Sequence, residues 1–418
     1  MDSVTVVAIP DEEGVAPKKT NNKSQNPLFH TTISFIRENE RKLVHSIKVG
    51  IALVLVSLLY LLDPLYEQVG ENAMWAIMTV VVVFEFYAGA TLGKGLNRGV
   101  GTVLGGGLGC LAASFAQRAG GIGNAIVIGI FVFIFGAAAT YSRLVPMVKR
   151  RYEYGAIIFM LTFNLVVVSG LRAEKVIELA RERLTTIVMG FSVCIFISLF
   201  IFPIWSSDEL HDSLVSRFEH LASSIEGCVE EFFKICDEKE NRRIPGFDKC
   251  KSVLNSRSKD ESLVNFAKWE PWHGKFGFSH PWEKYLKIGE LLRELAAMIL
   301  SLKGCLVSPR QLQAPRESIK EACEATVSSL SWTLKEVGES IKRMRRCKAE
   351  NSILPKLKSI RVELSLVMPP TRLEPLVDKR EGLAMASFVF SLMEMVEKVE
   401  ELAKEVEELG EVANFLNS

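Results

Sequence analysis

The chain has 418 residues, 48% of them apolar, and its 50 basic and 49 acidic residues leave a formal net charge of +1. The mean hydropathy of +0.20 is high for an average soluble protein, and the near-balanced charge offers no basic face for nucleic acid. Eight cysteines (Cys110, Cys194, Cys228, Cys236, Cys250, Cys305, Cys323 and Cys347) form no C-x-x-C pair and have no histidine at zinc-ligand spacing. Free thiols are therefore expected, and neither a disulfide framework nor a metal site.

Residues 1–42 are polar, interrupted by Pro10, Pro17 and Pro27, and lack the apolar core of a signal peptide. They read as a flexible cytosolic tail. Six apolar stretches follow within residues 43–205. A helix crossing about 30 Å of hydrocarbon needs roughly 20 apolar residues, which predicts spans near Leu43–Leu62, Asn72–Ala88, Gly99–Ala116, Asn124–Tyr141, Tyr154–Leu171 and Leu184–Trp205.

Lys and Arg gather in alternate short loops: Arg41, Lys42 and Lys48 before the first span, Lys94 and Arg98 between the second and third, and Arg143, Lys149, Arg150 and Arg151 between the fourth and fifth. Cytoplasmic loops hold this excess. The loop Arg172–Arg183 weakens the pattern without reversing it, because its four bases mix with Glu174, Glu178 and Glu182. Both termini are then cytosolic. Gly101, Gly105 and Gly109, with the pairs Gly89/Gly93 and Gly95/Gly99, repeat at four-residue spacing. Such rows let helix backbones approach closely in lipid. Lys94 lies between two glycines, but no Ser or Thr follows it and no strand precedes it, so a Walker phosphate loop is excluded.

Charge returns after Pro203–Ser207, so residues 206–418 read as a separate helical cytosolic domain. Leu210, Leu214, Phe218, Leu221 and Ile225 follow helical spacing, and prolines such as Pro245, Pro271, Pro309 and Pro355 divide the region into six or seven helices. The last long helix is expected over Lys379–Leu409. The fold class is thus all-α, a six-helix transmembrane domain followed by a helical cytosolic bundle.

Two stretches carry a family resemblance. The run Trp75-Ala76-Ile77-Met78-Thr79 through Phe84-Glu85-Phe86, continued by Gly89-Ala90-Thr91-Leu92-Gly93-Lys94-Gly95-Leu96-Asn97-Arg98, closely resembles the plant aluminium-activated malate transporter family. Far downstream, Trp269-Glu270-Pro271, then His273-Gly274-Lys275-Phe276 and His280-Pro281-Trp282, resembles that family's cytosolic Trp-Glu-Pro motif. The resemblance is strong from about Lys48 to Leu300. It implies a homodimeric passive channel in the plasma membrane rather than the vacuolar membrane, passing malate and other small anions.

An ionised side chain at bilayer depth costs about 2.5–3.5 kcal/mol and is a functional candidate by default. Lys94, Arg98, Arg143 and Arg183 are the candidate anion-pathway residues, since cationic rings select anions and arginine grips a carboxylate with two hydrogen bonds. The resemblance matches Arg183, in Glu182-Arg183-Leu184-Thr185, to the arginine before the family's sixth span. Positive-inside anchoring is the other reading of Lys94 and Arg98. Glu67, Glu174 and Glu178 form an outward acidic group that the resemblance aligns with aluminium sensing. Glu at 67 and 178, where Asp is expected, and the intruding Lys175 weigh against that role. Glu85 lies in an apolar run, where a basic partner is expected; proton coupling through Glu85 would instead make the chain a secondary transporter. Trp269, Glu270 and Pro271 read as a packing hub. No nucleophile with a base, metal set or nucleotide loop is visible, so the chain is read as not an enzyme and as needing no cofactor.

Overall fold

The computed structural model describes residues 27–62, 73–118, 120–170, 176–233, 246–277, 280–302, 305, 314–347, 349–367 and 379–416. Among them the regular structure is helical: α1 (Pro27–Leu61), α2 (Ala73–Val83), α3 (Ala88–Gln117), α4 (Gly121–Leu144), α5 (Pro146–Arg151), α6 (Glu153–Gly170) and α7 (Val176–Phe200) precede α8 (Ser206–Phe233). Then come α9 (Phe247–Leu254), α10 (Arg257–Ala267), α11 (Trp282–Ser301), α12 (Ala314–Lys342), a π-helical turn (Ala349–Ile353), α13 (Leu354–Val367) and α14 (Lys379–Val412). Met1–Lys48 and Val49–Ser418 form two separate compact units. The first helix begins at Pro27, inside the stretch expected to be tail. Proline suits a first helical position, and neither Pro nor Gly interrupts residues 28–49.

The apolar half bears out the six expected spans only in part. Ala88–Gln117, Ile122–Leu144 and Arg181–Phe200 are long and apolar enough to cross a bilayer, whereas Met74–Val83 and Glu153–Ser169 are shorter apolar helices. The run expected as one span over Asn72–Ala88 is an 11-residue helix, about 16 Å long, followed by a non-helical turn. The third helix accordingly starts 11 residues earlier than its expected Gly99. Thr91 causes the break: its Oγ1 accepts the Glu85 N–H at 3.0 Å, and the Ala88 N–H turns to the Ile204 carbonyl at 3.0 Å.

Two apolar clusters organise these helices. Ala52 and Val56 of α1, Ala76 and Val80 of α2, and Cys194 and Ile197 of α7 form one; Ala112 and Ala116 of α3, Ile128 of α4, and Phe163 and Val167 of α6 form the other. The glycine row on α3 faces α6. A Cβ at Gly101 would lie 2.5 Å from the Gly155 carbonyl oxygen, one at Gly105 2.7 Å from that of Phe159, and one at Gly109 3.0 Å from Val166. Gly107, on the same helix, has open space beside it.

The C-terminal helices share one core, in which α8, α11, α12 and α14 meet through Leu214, Phe218, Leu292, Leu295, Leu334 and Val396. Phe232 stacks on Phe388 with centroids 3.8 Å apart. Asp260 is buried there between Arg217, which grips both carboxylate oxygens at 2.6 and 2.7 Å, and Arg293 at 3.1 Å. Helix α14 ends close to its expected limit.

Replacing Gly101 by Leu is expected to lower the melting midpoint of the detergent-solubilised protein markedly, since the α3–α6 backbones must separate. Gly107→Ala is expected to be neutral or to stabilise by up to about 1 kcal/mol. Equal effects at the two positions, measured by thermal melting, would contradict the close-packing account.

Candidate functional site

The break after α2 places Glu85 at the level of Lys94, in the second turn of α3, and the two form an ion pair. This is the basic partner that a carboxylate in an apolar run requires. Both side chains keep part of their surface exposed. One turn further along α3, Arg98 is only 7% exposed and donates from Nη1 to the Tyr154 hydroxyl at 3.1 Å. Arg183, near the start of α7, is also 7% exposed, with its guanidinium carbon 3.8 Å from the centroid of the Trp75 ring. A cation over indole gains about 0.5–2 kcal/mol, more when desolvated.

Arg98 and Arg183 are near enough to repel one another. Each has a buried Nε–H without a hydrogen-bond partner, and among the described residues neither reaches a carboxylate. Two buried cations without a carboxylate among the described residues make a local positive potential. Arg143 differs. It sits in the last turn of α4 and donates from Nη2 to Glu153 Oε1, at the start of α6, at 2.9 Å. Of the four expected cations, the fold thus gives Lys94 and Arg143 each a carboxylate, while Arg98 and Arg183 reach none among the described residues. Glu67 and Glu174 lie outside the described residues, as does the side chain of Glu178.

The Trp-Glu-Pro turn packs onto the first turns of α3. A Cβ at Gly93 would meet the Trp269 ring at 2.9 Å, and one at Gly89 the Glu270 Cγ at 2.8 Å and the Phe266 carbonyl. Arg151 lies 4.7 Å over the Trp269 ring. Glu270, 7% exposed, closes the start of α8: its Oε1 accepts from Ser206 N–H and Oγ, both at 2.6 Å, and its Oε2 from Ser207 N–H at 3.3 Å and Oγ at 2.6 Å. A carboxylate at a helix N-terminus satisfies orphan N–H groups and complements the helix dipole. Pro271 supplies the carbonyl that accepts from His273 Nδ1 at 2.8 Å, which holds the imidazole against Trp205 at 3.8 Å.

Sequence reasoning missed Tyr154, Ser206 and Ser207. A serine pair after Trp205 is an N-cap signal, but nothing local names a partner 64 residues away. Behind this turn, His280 packs among Phe276, Trp282 and Tyr285. Burial, with a smaller contribution from the nearby charge of His211, pushes His280 down to about 4. Among the described residues no His, Cys, Asp and Glu group could hold a metal ion.

Comparison with known proteins gives one consistent result. The family model for aluminium activated malate transporters matches residues 33–368. Aluminum-activated malate transporter 2 of Arabidopsis thaliana is 40% identical over 386 residues, covering 91% of this chain and 77% of the relative. Aluminum-activated malate transporter 12 of the same plant is 44% identical over 321 residues, covering 75% of this chain and 56% of the relative. The wheat protein Aluminum-activated malate transporter 1 is 35% identical, with 91% and 84% covered.

Glu270→Ala is expected to destabilise the protein by about 1–3 kcal/mol, because it strands the buried N–H groups that open α8; thermal melting of purified protein reads this out. A second expectation concerns acid. The folded protein holds His280 below the ordinary value near 6.5, so its contribution is intact above pH 6.5 and is lost as pH falls from 6.5 toward 4. His280→Phe should flatten the fall of the melting midpoint across that window, and an unchanged slope would count against the assignment.

Proposed function

Since this chain belongs to the aluminium-activated malate transporter family, we propose that it is an anion channel through which malate and inorganic anions pass passively down their electrochemical gradient. Two copies assemble as a homodimer in the plasma membrane of a plant cell. Each subunit crosses the bilayer six times through α1, α2, α3, α4, α6 and α7 and keeps both termini and the C-terminal helices in the cytosol. The observation that carries this reading is the burial of Arg98 and Arg183, neither of which reaches a carboxylate among the described residues.

A buried cation without a counter-charge is costly in a static fold. It becomes useful where anions visit, because direct attraction replaces the hydration they shed. Arg183 sits over the Trp75 ring, its guanidinium carbon 3.8 Å from the centroid, and an arginine so stacked can still offer N–H groups to a carboxylate. Grip must be weak for flux, and repulsion between the two arginines, each relieved in turn, suits brief occupancy. A negative-inside potential contributes about 2.3 kcal/mol per charge per 100 mV, enough to drive malate outward without any other energy source. The family and the relatives are transporters, not enzymes, and the chemistry asked of these residues is electrostatic.

Proton-coupled transport through Glu85 is disfavoured by its ion pair with Lys94, which gives this carboxylate a structural role. Patch-clamp recording of the expressed protein, with malate on one side, is the test. Arg183→Gln and Arg98→Gln are each expected to cut malate current on the order of tenfold or more, a loss of about 1.4 kcal/mol of compensation. Lys94→Gln, whose cation is already neutralised by Glu85, should do less. Reversal potential should follow the anion gradient and ignore an imposed pH gradient. Full current in both arginine variants would overturn the assignment of the path.

A further inference from the structure

Beside the Trp269 contact lies a pocket of about 250 Å³, lined by Lys94, Asn97, Lys149, Arg150, Arg151 and Trp269 among others. Two of its charged residues are committed elsewhere, Lys94 to Glu85 and Glu153 to Arg143. Among the described residues, Lys149, Arg150 and Arg151 reach no carboxylate, and Arg151 is held by the faces of Trp269 and Tyr152, 4.7 and 5.6 Å from its guanidinium. Three free cations on one short helix, backed by a rigid aromatic floor, suit a ligand carrying several negative charges. Each phosphate monoester brings about −1.5 to −2 at neutral pH.

A second cavity, about 400 Å³ and almost wholly apolar, shares Asn97 with the first and runs along α3 past Val100, Leu104 and Leu108, with Phe135 and Phe159 on its other walls. From Asn97 to Leu108 the helix advances about 16 Å, close to half of a 30 Å hydrocarbon core, the depth of one leaflet. A soluble anion would have no use for that groove. A lipid would use both parts.

We infer that this paired cavity is a binding site for a phosphorylated inositol phospholipid, its headgroup phosphates among Lys149, Arg150 and Arg151 and one acyl chain along Val100, Leu104 and Leu108. The basic end adjoins the C-terminal helices, since Trp269 and Phe266 line the same pocket, so the lipid belongs to the leaflet facing them. Polybasic segments at that boundary attract anionic lipid with about 1 kcal/mol per residue. Bound there, the headgroup would also touch the turn that supports Glu270 and the start of α8. The inference rests on placing these helices in a bilayer, but not on the conduction path. Because binding is measured instead of current, its failure would leave the channel reading standing.

The test uses the full chain in detergent, titrated with dioctanoyl phosphatidylinositol bisphosphate, dioctanoyl phosphatidylcholine or free inositol trisphosphate, with binding followed by melting shift and native mass spectrometry. The phosphoinositide is expected to raise the melting midpoint and to bind at least tenfold tighter than either control. The double variant Lys149→Gln/Arg150→Gln, at two exposed positions, should weaken it about thirtyfold while melting like the parent when no lipid is added. Leu104→Trp, which fills the groove, should weaken the lipid and leave inositol trisphosphate unchanged. Equal affinity for lipid and free headgroup would make the site one for a soluble phosphate, and so overturn the proposal. Equal affinity for the two lipids, or an unaffected double variant, would overturn it as well.

Discussion

Close backbone approach along α3 is the constraint on which the remaining features depend. Glycines on this helix admit three different neighbours. Gly101, Gly105 and Gly109 receive the backbone of α6, Gly95 receives the Phe191 ring of α7, and Gly89 and Gly93 receive the Trp-Glu-Pro turn. In lipid there is no water to drive apolar surfaces together, so helices associate through packing contacts that only small residues permit at this distance. Arg98 shares α3 with these glycines, and its burial follows from them. With α6 and α7 drawn in on either side, a guanidinium at this level has Tyr154 within reach and almost no path to bulk water.

The same closeness joins the arginines to the C-terminal helices. Arg98 is linked to the Trp-Glu-Pro turn through one helix, because Glu270 and Trp269 rest on the first turns of α3. Arg183 is linked through another, because α7 leads by way of residues 201–205 into the serines that Glu270 caps, and the Ile204 carbonyl accepts the Ala88 N–H. One carboxylate therefore stands at the junction of both supports. Its two oxygens are fully occupied by serine N–H and hydroxyl groups. A glutamate in such a position acts as a structural fastener, and the neighbouring His273 serves the same turn through its stack on Trp205.

How far the sequence was legible follows the range of the interactions involved. Glycine spacing foretold tight contact on α3, because that signal is periodic and local. The demand that Glu85 find a base was legible too, since burial of an isolated charge is prohibitive, and Lys94 lies nine positions away in the chain. The helix break at residues 84–87 was not legible. Val80 through Phe86 is apolar but for Glu85 and contains neither Gly nor Pro, so propensity reads straight through it. What stops the helix is Thr91 capturing the Glu85 N–H together with a carbonyl from Ile204, more than a hundred residues downstream. Tyr154 against Arg98 and Ser206 against Glu270 were hidden for the same reason. A hydroxyl advertises no partner until tertiary structure supplies one.

The pairing pattern changes which charges matter. Read along the chain, Lys94, Arg98, Arg143 and Arg183 look alike, four cations beside apolar helices. In the fold, Lys94 and Arg143 are matched by Glu85 and Glu153, and a matched pair presents a dipole whose field falls off faster with distance than that of a lone charge. Arg98 and Arg183 keep their full monopole field, and they keep it at low exposure, where solvent screens least. In the proposed channel, these two guanidiniums are therefore where a passing anion would be attracted most. The matched pairs at Lys94 and Arg143 satisfy Glu85 and Glu153, the carboxylates that the fold sets beside these helices.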